Sequence, residues 1–254
     1  MSNMKWLMAA ALVAASGAAQ AGLSSTWTFT TDYDFRGITQ TAHHPALQGS
    51  IDYAWDSGFS VGAWVSNLNF GDCCSEKVEL DLYAGYAKSF ENGFGFSVGG
   101  VYYTYPGADY GEGLPDLNFW EVNAGVSFKS LSIKYWYSDN FGNAEDGFHL
   151  LDPTLDADAW YLEANYSIAL PKDITLALHA GMSQGSYWDF PSKVSGGDAP
   201  SAEYEDFSIG FSKTFGDFAV TAKYVYPEVK TAYRIRDGAF ANDPRAILSV
   251  ATTF

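Results

Sequence analysis

Charged side chains in this sequence recur at every second position within segments that are otherwise apolar. The clearest set is Asp32, Asp34 and Arg36. Alternate residues of an extended chain share one face of a strand, so these three side chains are predicted to point to the same side. Charged groups gathered on one inner face either set the electric field of a water-filled passage or pair with one another and fill it.

The same pattern selects further candidates in other segments. Glu79 and Asp81 alternate with the apolar residues Val78, Leu80 and Leu82. Lys77, Asp206 and Arg245 also fall on predicted polar faces. The residues predicted to line a passage are Asp32, Asp34, Arg36, Asp52, Glu79, Asp81, Glu121, Lys134, Glu163, His179 and Lys223.

Histidines at two places in the sequence are candidates for enzyme or metal chemistry. His179 is the only histidine inside a predicted strand, and nucleophilic catalysis would need a serine or cysteine held beside it. Serines are so frequent on the polar faces that such a pairing would arise by chance. His43 and His44 precede Pro45 and are typical of a polar exposed loop, although adjacent histidines can ligate a metal. We predict no catalytic residue, no cofactor and no metal site.

Two loops carry residues of uncertain role. Cys73 and Cys74 are adjacent, and their Cα atoms lie about 3.8 Å apart, below the usual disulfide range. The segment 139–158 holds six carboxylates and no Lys or Arg. Its spacing matches no EF-hand loop, so we expect a solvated acidic loop. Two alternatives are a Ca²⁺ site and a divalent ion that bridges the loop to lipid headgroups.

The amino terminus has the features of an export signal. Lys5 precedes a short apolar run, and Ala19-Gln20-Ala21 is typical of a cleavage site. The run is shorter than the roughly 20 residues that a membrane-spanning helix needs. We therefore predict a signal peptide over residues 1–21 and one domain over 22–254.

Alternating segments in the rest of the chain predict a barrel. Short connections, several of which contain Gly, Asn or Asp, alternate with long connections along the sequence. This is the arrangement of an all-β, single antiparallel transmembrane β-barrel with short periplasmic turns and long external loops. The twelve predicted strands are 24–36, 46–56, 59–69, 77–89, 94–105, 117–129, 131–139, 158–169, 173–183, 203–214, 217–226 and 245–254.

Aromatic residues and acidic charge add to this interpretation. Trp27, Phe59 and Phe254 fall near short turns, and Phe35 and Trp120 fall near long loops, as two interfacial belts would require. The alternative is that aromatic residues simply favour strands.

The net charge of −16 excludes a basic nucleic-acid surface. It indicates either ordinary solubility or a field that attracts cations.

Several segments resemble a known family. They are Asp32–Thr41, Pro45–Tyr53 and Gly58–Asn67, followed by Val78–Tyr86 and Val101–Gly107. Together they resemble the TorF family of porins, which are Gcw_chp-type bacterial outer-membrane proteins. The resemblance implies a porin role but no particular solute. The final strand departs from the common ending of such barrels, because Thr252 stands where an apolar residue is usual.

These observations predict a narrow outer-membrane channel for small hydrophilic solutes, with side chains partly occupying its interior. Cation preference is a further hypothesis from the acidic balance. The expected partners are outer-membrane lipid, the diffusing solutes and the barrel-assembly machinery. The alternatives are a plugged structural or adhesive barrel with functional external loops, a barrel enzyme acting on lipids, and a soluble periplasmic sandwich.

Overall fold

A computed structural model describes residues 21–71, 75–108, 116–145, 155–195 and 197–254. The predicted signal peptide lies outside these residues except for Ala21, and so do Cys73, Cys74 and the central part of the acidic loop. Twelve strands form one closed antiparallel barrel. The predicted fold class is therefore confirmed.

The strands follow one another around the barrel in sequence order, apart from β2 and β3, which form a separate hairpin. Their bounds are β1 (Gly22–Thr30), β2 (Asp34–Phe35), β3 (Ile38–Thr39), β4 (Ala46–Ala54), β5 (Phe59–Asn67), β6 (Val78–Ser89), β7 (Phe94–Thr104), β8 (Phe119–Phe128), β9 (Leu131–Ser138), β10 (Ala159–Leu170), β11 (Ile174–Gln184), β12 (Tyr204–Phe215), β13 (Phe218–Glu228) and β14 (Arg245–Thr253).

The barrel closes where the first strand meets the last. β1 pairs with β14 in a register that sets Thr26 opposite Thr253 and Thr30 opposite Ser249. Two further backbone hydrogen bonds of 2.9 and 3.1 Å join Ser25 to Phe254. Closure pairs the two strands that would otherwise be edges, which lets a sheet satisfy its backbone groups inside a lipid layer.

The outer and inner faces of the wall differ in the way that alternation predicts. Leu82 of β6 and Ile209 of β12 are exposed, and large apolar residues like them surround the barrel. Asp81 and Asp206, on the same two strands, point inward and are buried. An apolar outer surface of this extent is what contact with lipid tails requires.

The connections alternate between short and long, as predicted. The five short ones are 55–58, 90–93, 129–130, 171–173 and 216–217, and we call their side of the barrel the short-turn end. The six long ones are 31–45, 68–77, 105–118, 139–158, 185–203 and 229–244, and they define the long-loop end.

Helix α1 (Ser186–Val194) lies in the loop between β11 and β12. Its Tyr187 ring packs 5.0 Å from Phe141, and its Trp188 ring packs 5.1 Å from Tyr204. These contacts fold the loop over the long-loop end. No helix in the described ranges is long and apolar enough to cross a membrane.

The interior is filled at one end and hollow at the other. Inner-face residues near the long loops, such as Ser66 and Tyr103, are buried. Inner-face residues near the short turns, such as Ser97, Ser127 and Ser132, remain partly exposed. The same wall therefore encloses a packed region at the long-loop end and a more open region, which we call the chamber, at the short-turn end.

The packed region arises from a part of the chain for which the sequence prediction was wrong. The first strand was predicted to span 24–36, but β1 ends at Thr30. The chain then turns into the barrel, and β2 and β3 pair there. Phe35, predicted for an outer aromatic belt, lies inside, where its ring is 6.2 Å from that of Tyr103. Polar and aromatic residues alternate over Asp32, Tyr33, Asp34 and Phe35. The strands of a short hairpin show the same two-residue alternation as a long strand, so the sequence pattern does not distinguish the two.

Glycine on the inner wall makes room for the tyrosines that fill it. A Cβ atom on Gly181 would lie 2.0 Å from the hydroxyl oxygen of Tyr161 and 2.6 Å from Asp206 Oδ2. We expect Gly181→Ala to lower the free energy of unfolding by about 1–3 kcal/mol, because the ring must move off its partners. Urea unfolding in detergent measures this.

Gly210→Ala is the matched control for that variant. It also lies on the inner face, and its added Cβ would meet nothing closer than 3.6 Å. An equal loss of stability in both variants would show that tyrosine packing is not the cause.

Candidate pore and its inner hairpin

The centre of the candidate site is a tight turn inside the barrel. We call β2, β3 and the turn between them, residues 34–39, the inner hairpin. Arg36 and Gly37 occupy the two central turn positions with φ angles of 49° and 84°. Positive φ at both positions is the signature of a type I′ turn, and glycine or asparagine usually occupies them. Placing an arginine there directs its side chain away from the hairpin towards the opposite wall.

Arg36 is clamped to that wall by a forked ion pair. Its two terminal nitrogens donate to Glu121 Oε1 at 2.9 Å and to Oε2 at 2.8 Å. The Tyr103 hydroxyl donates to Glu121 Oε2 at 2.9 Å. The guanidinium also lies 4.4 Å from the centre of the Tyr161 ring. A bidentate pair between aromatic rings is the geometry that arginine, rather than lysine, can provide.

The other side of the inner hairpin is held by the last two strands. Arg245 of β14 donates to Asp32 Oδ2 at 2.6 Å and to Asp34 Oδ1 at 2.5 Å, and it also reaches the Gly37 carbonyl at 2.9 Å. Lys223 of β13 donates to Asp34 Oδ2 at 2.9 Å. Burial alone would raise the pKa of Asp34, but Lys223 and Arg245 outweigh it and lower that pKa.

Asp32 also organises the base of this loop. Its Oδ1 accepts hydrogen bonds from the hydroxyls of Thr39 and Thr41, the latter at 3.0 Å. The Nδ1 atom of His43 lies 3.5 Å from Asp32 Oδ2, and its Nε2 lies 3.2 Å from Asp243. His43 therefore contacts two carboxylates within the loop structure. No group of three or more metal-ligating side chains occurs within the described ranges.

A second network lies on the wall formed by β10, β11 and β12. His179 contacts Tyr161 and Asp206 through Nε2 at 2.9 Å each, and Asn165 through Nδ1 at 2.8 Å. Glu163 accepts hydrogen bonds from Trp136 Nε1 and from Asn165 Nδ2, both at 2.9 Å. The described partners of His179 thus include neither a serine nor a cysteine, and the network holds polar side chains in place.

The remaining candidates also lie on inner faces. Lys134 stands opposite Glu163 in the register of β9 and β10. Asp52 accepts hydrogen bonds from Tyr83 and from Ser50, the latter at 2.7 Å. Glu79 accepts one from Tyr33 at 3.2 Å. The carboxyl group of Asp81 lies within hydrogen-bonding distance of that of Glu79, its neighbour on the inner face of β6.

The eleven candidates are therefore brought into one interior, but three of them arrive by an unexpected route. Asp32, Asp34 and Arg36 were predicted on a face of the first strand and instead enter through the loop after it. Sequence reasoning missed Tyr103 and Trp136 as site residues. The sequence feature that could have identified them is an aromatic residue on the polar face of an alternating strand.

This fold and this charged interior define a small closed barrel of the membrane-protein type. Residues 14–254 match the model of a family described as "Bacterial protein of unknown function (Gcw_chp)". The chain belongs to this family. No protein with a curated description matches the chain in sequence.

Solved structures of porins share the fold. A KdgM porin has a TM-score of 0.53 at 10% identity, with 91% of this chain and 98% of that chain covered. A KdgM porin in complex with disordered oligogalacturonate gives 0.54 at 11% identity, covering 91% and 99%. A NanC porin gives 0.53 at 9% identity, covering 92% and 99%. At such low identity these similarities establish the architecture alone.

The clamp between Arg36 and Glu121 should be an essential stabilising contact of the inner hairpin. Glu121 is fully buried, so Arg36→Ala leaves a buried carboxylate without its base. We expect a loss of about 3–5 kcal/mol in the free energy of unfolding, measured by urea titration in detergent micelles.

The double variant Arg36→Ala, Glu121→Ala provides the control. It removes both charges, so it should be more stable than Arg36→Ala alone. A double variant as unstable as the sum of the two single variants would mean that the pair is not coupled.

Proposed function

We propose that this protein is a channel of the bacterial outer membrane that lets small hydrophilic solutes or ions diffuse passively. The observation that carries the proposal is a closed barrel whose outer wall is apolar all round and whose inner wall is charged. Such a wall is suited to lipid on one side and water on the other. The shared fold of the KdgM and NanC porins supports the proposal.

The solute class follows from the inner charges rather than from those porins. Oligogalacturonate, present in one KdgM structure, is a chain of sugar acids. The inner wall and inner hairpin described here present twice as many carboxylates as Lys and Arg side chains. The carboxylates are Asp32, Asp34, Asp52, Glu79, Asp81, Glu121, Glu163 and Asp206, and the bases are Arg36, Lys134, Lys223 and Arg245. We therefore propose cations and small neutral solutes rather than polyanions.

Expectations about export, assembly and enzyme activity extend this proposal. The signal peptide 1–21 would be removed on export, and 22–254 would form the barrel with the help of the assembly machinery. We assign no enzyme activity, since the hydrogen-bond partners of His179 are Tyr161, Asp206 and Asn165. A nucleophilic mechanism would need a serine or cysteine there.

A second candidate function is a plugged barrel that acts through its external loops. The observation that favours it is the packed long-loop end, where the inner hairpin spans from β13 and β14 to β8. In this view the barrel is a support and passes no ions. In the channel view the inner hairpin is a constriction.

Conductance of the refolded protein in a planar lipid bilayer distinguishes the two functions. We expect discrete current steps, because a polar inner wall that is only partly filled by side chains lets water and ions enter. A barrel that is folded by its electrophoretic mobility but carries no current would support the plugged function.

Removing the constriction should enlarge the current. We expect replacement of Asp34–Thr39 by a flexible Gly-Ser segment of equal length to raise single-channel conductance several-fold, because water then fills the packed region. The same replacement over residues 234–239, in the loop between β13 and β14, is the control. Equal conductance in the wild type and in both variants would show that the inner hairpin does not limit flow.

A further inference from the structure

Lys134 of β9 is a base of the interior whose charge lacks a direct partner. Its exposed fraction is 7%, and its ammonium group makes no hydrogen bond or salt bridge with the described residues. By contrast, Arg36, Lys223 and Arg245 are each paired with a carboxylate. The Nζ atom of Lys134 lies 5.0 Å from the centre of the Trp136 ring, which compensates the charge only in part. A buried ammonium group of this kind is stabilised by an anionic ligand.

The acid opposite Lys134 does not serve as that partner. Glu163 of β10 attracts the ammonium group at longer range but forms no salt bridge with it among the described contacts. Its carboxylate accepts hydrogen bonds from Trp136 and Asn165 at 2.9 Å each and lies 3.8 Å from His179 Nδ1. The stem of Lys134 leans the other way, since its Cε atom would lie 3.4 Å from a Cβ atom on Gly125 of β8. The ammonium group is therefore directed to the β7–β8 side of the chamber.

On that side Lys134 lines a cavity with glycines in its floor. Gly95 of β7 stands opposite Ser127 of β8, and Ser97 of β7 stands opposite Gly125. A Cβ atom on Gly125 would lie 3.0 Å from Ser97 Oγ, and one on Gly95 would lie 2.7 Å from Ser127 Oγ. Each serine thus leans over the glycine of the neighbouring strand. The two hydroxyls and Lys134 border one hollow in the inner wall.

Four polar side chains around this cavity can donate hydrogen bonds to a ligand. The hydroxyls of Ser97, Ser127 and Ser132 line it, and they have no hydrogen-bond partner among the described residues. Each hydroxyl can turn its proton towards a ligand, and Lys134 adds three N–H donors and a positive charge. We call Lys134, Ser97, Ser127 and Ser132 the donor site. Negatively charged oxygen atoms are the strongest acceptors for such donors.

The size and charge of the donor site favour a compact monoanion. The cavity offers about 30 Å³ to the centres of water-sized molecules, whereas one buried water needs about 10–15 Å³. This space accommodates one carboxylate group but no sugar ring. One ammonium group balances one negative charge, and Glu163, which also lines the cavity, repels a second.

We propose that the donor site binds a small monocarboxylate, with the carboxylate against Lys134 and the serine hydroxyls. The inference goes beyond the proposed function and does not rest on conduction, because the chamber is open to solvent at the short-turn end. The acidic interior repels polyanions, whereas a single carboxylate is neutralised at Lys134. No covalent step is involved.

Carbon NMR of ¹³C-labelled acetate tests the site on the refolded barrel in uncharged detergent micelles. Acetate that exchanges with a site on a large particle gives a broader signal than free acetate. We expect the wild type to broaden the signal several-fold, and an excess of unlabelled acetate to reverse the effect. Lys134→Met keeps an apolar stem and removes the charge, so it should abolish the broadening. Electrophoretic mobility with and without heating confirms that each variant is folded.

Lys213→Met is the matched control for the loss of charge. Lys213 lies on the outer face of β12, and its Nζ atom is 5.5 Å from the centre of the Phe215 ring. The variant therefore loses the same charge and a similar aromatic contact outside the chamber. It should broaden the acetate signal as much as the wild type does.

Two further measurements separate a built site from a hydrated lysine. Ser97→Ala keeps the charge of Lys134 and removes one donor, so it should weaken acetate binding several-fold. Acetamide has the shape of acetate without its charge, so its signal should stay sharp with the wild type.

The possible results either support or overturn the donor site. Equal broadening by the wild type and Lys134→Met would show that Lys134 is only hydrated. Acetamide broadened as strongly as acetate would overturn the assignment of a carboxylate. A folded barrel that carries no current but binds acetate through Lys134 would refute the channel and keep the site. A conducting barrel that leaves the acetate signal sharp would keep the channel and refute the site.

Discussion

The structure depends on one constraint: charges inside the barrel must find their partners inside the barrel. Arg245 on β14 and Glu121 on β8 point into the interior and are buried, and Lys223 on β13 points inward and is partly exposed. The loop after β1 supplies the opposite charges, with Asp32 and Asp34 on one side and Arg36 on the other. The wall and the inner hairpin thus neutralise each other, and without one of them the other needs water in its place.

This pairing divides a uniform wall into two regions. The strands have the same alternation along their whole length, but the inner hairpin fills only the long-loop end. At that end the rings of Tyr103 and Phe119 stack with centroids 4.5 Å apart. Towards the short turns the inner faces carry Ser, Gly and Asn, whose small side chains leave space. The filled region therefore depends on which loop folds inward and not on the barrel itself.

Much of the fold could be predicted from the sequence because alternation is a local property. Each strand shows its inner face through charges such as Glu163 and its outer face through residues such as Leu162, and turn length reveals the end of each strand. The inner position of the loop after β1 could not be predicted. Its alternation equals that of a strand, and the ion pair between Asp32 and Arg245 joins residues separated by more than 200 positions. No local pattern reports such a contact.

The attachment of the inner hairpin has a consequence for how the molecule is assembled. The hairpin follows the first strand, yet Arg245 and Lys223, which anchor one side of it, belong to the two strands that are synthesised last. Its full set of ion pairs is therefore complete only after β13 and β14 have taken their places. Closing the β1–β14 seam and completing the attachment of the inner hairpin are thus linked. A barrel that stalls with an open seam would keep the loop after β1 accessible, so cleavage in that loop distinguishes finished from unfinished molecules.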